Sequence, residues 1–333
     1  MKRNILVCGG AGYIGSHMVR LLQDEGHDVV VFDNLSQGYA EAIPGVTLER
    51  GDLLNPADLA DVLSRYSFDA VIHFAALIAV GESVEHPELY YRNNVTGTLN
   101  LLDAMRNAGV GKLVFSSTAA VFGNPLTELI DENHPMAPLN PYGWSKRMVE
   151  QVLSDMATAF GLRSVCLRYF NAAGAHPDGR TGEAHDPETH LIPQVLLAAL
   201  SLRNRLTVFG DDYDTRDGTC IRDYIHVLDL ASAHLKALDF MDGNEGAHVF
   251  NLGNGNGFTT LEVLETAKRV TGRDIPYEIG PRRPGDAGIL VADSARAQTV
   301  LGWAPQFDAL ETIIETAWRW HQAPHYGPFA INK

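Results

Sequence analysis

A glycine triplet set between a buried strand and a helix constrains this chain more than any other feature. Ile5-Leu6-Val7-Cys8 is apolar and β-prone, Gly9, Gly12 and Gly15 follow at once, and Met18, Val19 and Leu22 begin a helical pattern. The three glycines serve different ends. One turns the chain tightly, one lets the backbone approach a pyrophosphate, and one lets the helix pack close to the strand. The helix start then aims its free N–H groups and positive dipole end at the phosphates. A second strand, Asp28–Phe32, leads to Asp33, 18 residues after Gly15, where an acid binds the adenosine ribose hydroxyls. That acid favours NAD over NADP, because a 2′-phosphate would be repelled.

The rest of the first half repeats the alternation. Short apolar segments at Val46–Arg50, Ala70–Ala76, Lys112–Ser116 and Arg163–Arg168 are separated by helical patterns at Ala57–Arg65, Asn93–Asn107 and Tyr142–Phe160. Strands so separated need crossovers, which predicts a doubly wound α/β parallel sheet of Rossmann type with helices on both faces. Ligands bind outside the carboxyl ends of such strands. The residues just after the strands are therefore the ones to watch: the glycine loop, Asp33, Asp52-Leu53, Ala75 to Ile78, Ser116 to Thr118 and Phe170-Asn171.

Past Asn171 the character changes. Residues 174–190 form a polar loop, followed by a helix at Ile192–Leu202 and a strand at Leu206–Phe209. Cys220 to His226, the helix Val227–Met241 and the strand Val249–Leu252 read as a return to the main sheet. Two or three helices and short strands follow Thr260. The expected division is a nucleotide-binding domain of residues 1–173 plus about 220–256. A smaller interleaved α/β substrate domain takes about 174–219 plus 257–333, with a second ligand in the cleft between them.

Composition limits the partners. The 333 residues suffice for one large or two modest domains, and a formal charge of −15 speaks against nucleic acid and anionic membrane. Cys8, Cys166 and Cys220 have no CxxC spacing and read as reduced thiols. The four-residue apolar run at the start is too short for a signal peptide, so the expected setting is the cytoplasm. His176, His185 and His190 gather with Asp178, Glu183 and Asp186, but their spacing matches no familiar ligand pattern, and no metal is expected.

The second informative stretch is Pro141-Tyr142-Gly143-Trp144-Ser145-Lys146. Tyr142 and Lys146 lie four apart at the start of a helix and share one face. A phenol with a pKa of about 10 is a poor base at neutrality, and lowering it to about 7 takes about 4 kcal/mol. A nearby ammonium and a positive nicotinamide would act in that direction, making Tyr142 a general base for a sugar hydroxyl. A hydroxyl from Ser116-Ser117-Thr118 can bridge the two.

The motifs GGAGYIGSH, FDN, GDL, HFAA, VGES, YYRNNVTGT, FSSTAAVFG, PYGWSK, RYFNAAGAHP and RDYIHVLDLA resemble the extended short-chain dehydrogenase/reductases, specifically the UDP-glucose 4-epimerases. The resemblance runs from about residue 3 to at least 300. It implies interconversion of UDP-galactose and UDP-glucose through a 4-keto intermediate, with a tightly held NAD that is reduced transiently. Tyr142 matches the base, Lys146 its partner, and Thr118 the hydroxyl position. Tyr13, Ile14, Asp33, Asn34, Asp52, Leu53, Asn93, Lys146 and Phe170 fall on cofactor positions, beside the glycine loop, Phe74-Ala75-Ala76 and Ser116. Asn171, Leu191, Thr207, Val208, Phe209, Arg222, Arg283 and Asp286 fall on positions that hold the UDP-sugar. A homodimer through the helices Asn93–Asn107 and Tyr142–Phe160 is also implied.

Two departures stand out. Ile78 replaces a lysine that often sits beside the nicotinamide ribose, and Leu290 falls where residue size governs admission of N-acetylated sugars, with leucine intermediate. Three rivals remain to be weighed. A 4,6-dehydratase would need an acid/base pair where this chain has Ala119-Ala120, which argues against it. A 4-epimerase of UDP-glucuronate or UDP-pentoses would keep every motif. A non-catalytic NAD-sensing protein would have no need of Tyr142 and Lys146 together.

Overall fold

In the computed structural model, residues 2–202, 205–283 and 287–330 are described. Strands β1 (Asn4–Cys8), β2 (Asp28–Asp33), β3 (Thr47–Arg50), β4 (Ala70–His73), β5 (Lys112–Thr118) and β6 (Arg163–Tyr169) alternate with helices. The helices are α1 (Tyr13–Asp24), α2 (Pro56–Arg65), α3 (Val80–Glu85), α4 (Pro87–Tyr90), α5 (Gly97–Asn107) and α6 (Pro141–Phe160). Then come β7 (Asn171–Ala173), α7 (Leu191–Ala199), β8 (Leu206–Phe209), β9 (Ile221–Arg222), β10 (Tyr224–His226), α8 (Val227–Gly243) and β11 (Ala247–Leu252). The chain closes with β12 (Phe258–Thr259), α9 (Thr260–Thr271), β13 (Tyr277–Gly280), β14 (Ile289–Leu290), α10 (Ala295–Leu301) and α11 (Leu310–Gln322).

Seven strands form one parallel sheet in the order β11-β6-β5-β4-β1-β2-β3. The period of two in β1 sends alternate residues to opposite faces. Ile5 and Val7 join Val31, Ile72, Val114 and Val165 beneath Met18 and Leu22 of α1 and Leu230 and Met241 of α8. Leu6 and Cys8 join Phe32, Val71, Leu113 and Phe115 beneath Leu59 of α2, Leu101 of α5 and Val149 and Leu153 of α6. Strand order reverses between β1 and β4, which opens a crevice at their carboxyl ends. A separate core joins Val195 and Leu196 of α7, Val208 of β8, Val263 and Leu264 of α9, and Ile313 and Ile314 of α11.

The doubly wound sheet and the smaller C-terminal part agree with the sequence reading, with three differences. Ala70–His73 ends before Phe74, because Phe74 and Ala75 turn their N–H groups onto Cys8 O, at 2.8 and 3.1 Å. The helix expected from Asn93 is preceded by a π-helical turn, Tyr91–Thr96. Cys220 to His226 does not return to the main sheet. β9 pairs with β12 and β14, and β10 with β7, so the seventh main strand is β11. A short apolar run fixes that a strand forms but not which edge it joins.

His226 caps α8 and ties the two cores together. Its Nδ1 accepts from Leu228 N at 3.1 Å, and its Nε2–H donates to Thr316 Oγ1 at 3.0 Å. Burial is the main force lowering its pKa, to about 3. With a folded value below the unfolded 6.5, its contribution is complete above pH 6.5 and is lost as pH falls. Between pH 7 and pH 5 it should cost about 2 kcal/mol of stability. Urea unfolding at both pH values should show that loss shrinking by a similar amount in His226→Asn, which keeps a capping acceptor that does not titrate.

Candidate active site

The crevice begins at the glycine loop. Gly9 has φ +78°, and a Cβ there would stand 2.5 Å from Ala75 N; a Cβ on Gly15 would stand 2.2 Å from Gly9 O. The fold itself demands both. A Cβ on Gly12 would meet only Gly9 O, at an ordinary 3.5 Å. The space beside Gly12 is therefore open, and the missing Cβ lets a ligand approach the backbone there. Helix α1 starts there with no side-chain cap and no acidic residue in its first turn. Its orphan N–H groups fit an anionic pyrophosphate.

Asp33 at the end of β2 is buried, and its two oxygens accept from Ala11 N at 2.9 Å and Leu35 N at 2.8 Å. Burial raises its pKa and these two N–H groups oppose the rise. Each oxygen keeps a lone pair for a ribose hydroxyl. Asn34 donates to Asp52 Oδ2 at 3.1 Å, and Leu53 is buried against Gly97. Phe74 packs against the His234 ring at 4.7 Å. In the π-turn, Asn93 donates to Asn94 Oδ1 at 2.9 Å, and Asn94 holds Leu77 by both its N–H and its carbonyl, at 2.9 and 3.0 Å. π-Turns often mark functional sites. Ile78 is 43% exposed at the rim. Ile14 packs against the core under the sheet, and Tyr13 donates to Gly174 O at 2.6 Å, joining the glycine loop to the start of the polar loop. These residues fit NAD.

The Tyr142 hydroxyl lies beside the Thr118 hydroxyl at the end of β5, close enough for Thr118 to act on its pKa. One turn along α6, the buried Lys146 ammonium donates to Ser116 O at 2.9 Å, 4.8 Å from the Phe115 ring and 6.0 Å from the Tyr142 ring. The Ser116 hydroxyl is bonded to the Tyr169 hydroxyl. Desolvation lowers the Lys146 pKa to about 7, against the pull of Glu150. The expected depression of the phenol by Lys146 is not met within the chain. Burial raises the Tyr142 pKa and wins over the Thr118 hydroxyl that lowers it. A lysine that is itself partly neutral in a dry pocket offers little field.

Behind this pair lies a network that the motif reading missed. Glu150 accepts from Ser117 Oγ at 2.6 Å, from Arg168 Nε at 2.9 Å and from Arg168 Nη2 at 2.6 Å, with both charged side chains buried. Its signal was available, since Glu150 repeats the Tyr142–Lys146 step of four along one helix face.

The positions expected to hold the UDP-sugar lie on or beside β7, α7, β8, β9 and β14. Asn171 donates through N and Nδ2 to Asp223 O, at 3.1 and 2.8 Å. Leu191 opens α7. Thr207 and Phe209 share the half-exposed face of β8, while the Val208 side chain turns into the core. The Arg283 guanidinium lies 3.9 Å over the Phe209 ring. Arg222 pairs with Leu290 in the β9–β14 register and donates to Ile221 O at 2.8 Å. Leu290 and Phe170 pack on one cluster with Val121, Phe122 and Ala119, the residue after Thr118. Asp286 lies outside the described residues. Asp223, unnoticed in the sequence, anchors this corner by accepting from Asn254 N, Gly255 N and Ala292 N at 2.8, 3.0 and 3.1 Å.

In the polar loop, His176 pairs with Asp178 at 2.9 Å, Asp186 is exposed, and Glu183, His185, Glu188 and His190 converge.

Residues 5–253 match the model of the NAD dependent epimerase/dehydratase family. A UDP-glucose 4-epimerase of Halalkalibacterium halodurans is 53% identical over 331 residues, covering 99% of this chain and 98% of that one. The crystal structure of UDP-glucose 4-epimerase from Brucella ovis in complex with NAD superposes with a TM-score of 0.93 at 49% identity, covering 95% of this chain and 97% of that one. The enzyme from Bifidobacterium longum, in complex with NAD+ and UDP, gives 0.92 at 40% identity, covering 96% and 98%.

Proposed function

Because the chain belongs to the NAD dependent epimerase/dehydratase family, among its UDP-glucose 4-epimerases, we propose that it interconverts UDP-galactose and UDP-glucose. It is an NAD-dependent nucleotide-sugar epimerase. The observation that carries the reading is the Thr118–Tyr142–Lys146 arrangement at the carboxyl end of β5, beside a glycine loop whose Gly12 and uncapped α1 are shaped for a dinucleotide. A coupled assay with purified protein, UDP-galactose and no added NAD should yield UDP-glucose over time. Absence of turnover, with NAD supplied as well, would overturn the reading, and turnover of UDP-glucuronate or UDP-pentoses instead would reassign the sugar.

Tyr142 takes the proton of the C4 hydroxyl, with Thr118 Oγ1 bridging the sugar oxygen and the phenol. NAD, when bound, supplies the acceptor and later the donor of the C4 hydride, and a positive ring that offsets the cost of a buried phenolate. The resulting 4-keto sugar turns about its diphosphate linkage and presents its other face, and Tyr142 returns the proton. Arg222 and Arg283 grip the diphosphate through charge-assisted bonds. Lys146 holds the Ser116 carbonyl and so fixes the height of β5 relative to the phenol.

Residues 1–173 with about 220–256 bind NAD in this reading, and about 174–219 with 257–333 hold the UDP-sugar. The cytoplasm is the proposed setting, supported by three free cysteines. Among the described residues no helix is long and apolar enough to cross a membrane. A homodimer forms through Leu99 of α5 and Trp144, Met148 and Phe160 of α6, all exposed.

Two expected results follow from the geometry. Gly12→Ala should keep the melting temperature within a few degrees and weaken NAD binding tenfold or more, about 1.4 kcal/mol, because its Cβ meets ligand and not protein. Leu290, between tyrosine and a small residue in size, should leave UDP-N-acetylgalactosamine a poor to moderate substrate. Equal kcat/KM for the N-acetylated and plain sugars would remove Leu290 as the gate.

A further inference from the structure

The polar loop before α7 folds four potential ligands onto one point. Glu183, His185, Glu188 and His190 each bring a donor atom to within 4.8 Å of the others. Glu183 Oε1 stands 2.9 Å from His185 Nδ1 and 2.8 Å from His190 Nδ1. Glu188 places Oε1 3.0 Å from His190 Nδ1 and Oε2 3.9 Å from His185 Nδ1. The two carboxylates are enclosed, with side chains 4% and 7% exposed.

Two independent properties separate this cluster from ordinary surface ion pairs. The first is its size. A tetrahedral cation with bonds of 2.0–2.2 Å holds its donors about 3.3–3.6 Å apart. Three of the four carboxylate–imidazole distances, 2.8, 2.9 and 3.0 Å, are hydrogen-bond contacts a few tenths of an ångström inside that range, and the fourth is 3.9 Å, so small shifts of the donors bring all four to it. The second is charge. Two carboxylates are withdrawn from water, and among the described residues their ion-pair partners are these two histidines, with no lysine or arginine. Glu188 Oε1 is also met by the N–H groups of Thr189 and His190, at 2.7 Å each, which orient it without neutralising it. An enclosed pair of anions needs compensating charge, which either protonated imidazoles or a bound cation supplies. A divalent ion balances both carboxylates and accepts the Nδ1 lone pairs of two neutral imidazoles.

We propose that Glu183, His185, Glu188 and His190 form a binding site for one divalent transition-metal cation, with zinc the best match. Two imidazole nitrogens and two carboxylate oxygens suit zinc, and four ligands from the protein leave no open position, as in structural sites. This assignment runs against the sequence expectation of no metal. The ligand steps of two, three and two residues come from a folded loop and resemble no helical or hairpin run, and Glu188 did not enter the sequence-level cluster at all. The site sits between the candidate binding regions. The His185 ring packs edge-on to Tyr13 at 6.2 Å, at the first turn of α1, and His190 immediately precedes Leu191 at the start of α7. A bound cation fastens the loop that spans them.

The test uses the full chain without an affinity tag, treated with a chelator, dialysed, and titrated with zinc chloride by calorimetry. One equivalent per chain should bind, and saturating zinc should raise the melting temperature by roughly 5 °C at a hundredfold excess over Kd. The double variant His185→Ala/His190→Ala should lose that equivalent. Glu188→Gln, which keeps shape and hydrogen bonds, should fold normally and bind zinc at least tenfold more weakly. Overturning results are a wild-type chain that binds no zinc, or one that binds it no more tightly than Glu188→Gln. In either case protonated histidines balance the carboxylates and the cluster is an ion-pair lock.

Discussion

Replacing Tyr142 by phenylalanine should lower turnover of UDP-galactose by about 10²–10⁴-fold, the range for loss of a positioned acid–base group. The ring that packs at the start of α6 is kept, so the melting temperature and the NAD content, read by absorbance of the denatured protein, should stay close to wild type. What disappears is the hydroxyl beside Thr118. Burial already favours its protonated form, so in the proposed mechanism it is charge brought by the cofactor that makes a base of it. Thr118 Oγ1 is occupied in part by the Ala120 N–H, at 3.1 Å, and cannot replace the phenol. A loss of less than tenfold in kcat would show that another group removes the proton.

The second large effect concerns stability. Glu150→Ala should cost about 3–5 kcal/mol, because it leaves the Arg168 guanidinium buried without its counter-charge. The Arg168 side chain is 4% exposed, and its Nη1 has no partner among the described residues even in the intact network. Ser117 Oγ loses its acceptor as well. A fall in melting temperature of about 4–7 °C is expected. The double variant Glu150→Ala/Arg168→Met removes both charges and should recover much of it, which separates an orphaned charge from a simple cavity. A milder effect should appear in catalysis. Glu150 raises the proton affinity of Lys146, so its loss should push the ammonium further toward the neutral form at pH 7.

The parts of this site that were legible in the sequence are those made by local chain geometry. Gly9, Gly12 and Gly15, Asp33, and the Tyr142–Lys146 step each carry their reason within one strand–turn–helix unit or one helical turn. Where meaning depends on distant partners, local reading fell short. Ile221 and Arg222 are held by Phe258 and Thr259 on one side and by Ile289 and Leu290 on the other, so nothing adjacent in the chain revealed their sheet. Asp223 looks like any acid beside an arginine, and its three backbone donors come from Asn254, Gly255 and Ala292. The direction of the Tyr142 shift also escaped, because spacing shows that a lysine is near but not how dry the pocket is.

The placement of β11 on the outer edge of β6 has a consequence for how the protein is made. β6 ends at Tyr169 and its partner begins at Ala247, so synthesis at 5–20 residues per second leaves roughly 4–16 s between the two. Throughout that interval the nascent sheet carries an open parallel edge with Val165 and Leu167 on one face and Cys166 on the other, residues that end fully enclosed. The nucleotide loop is among the first segments to leave the ribosome, yet the sheet that carries it is sealed only when about three quarters of the chain has been made.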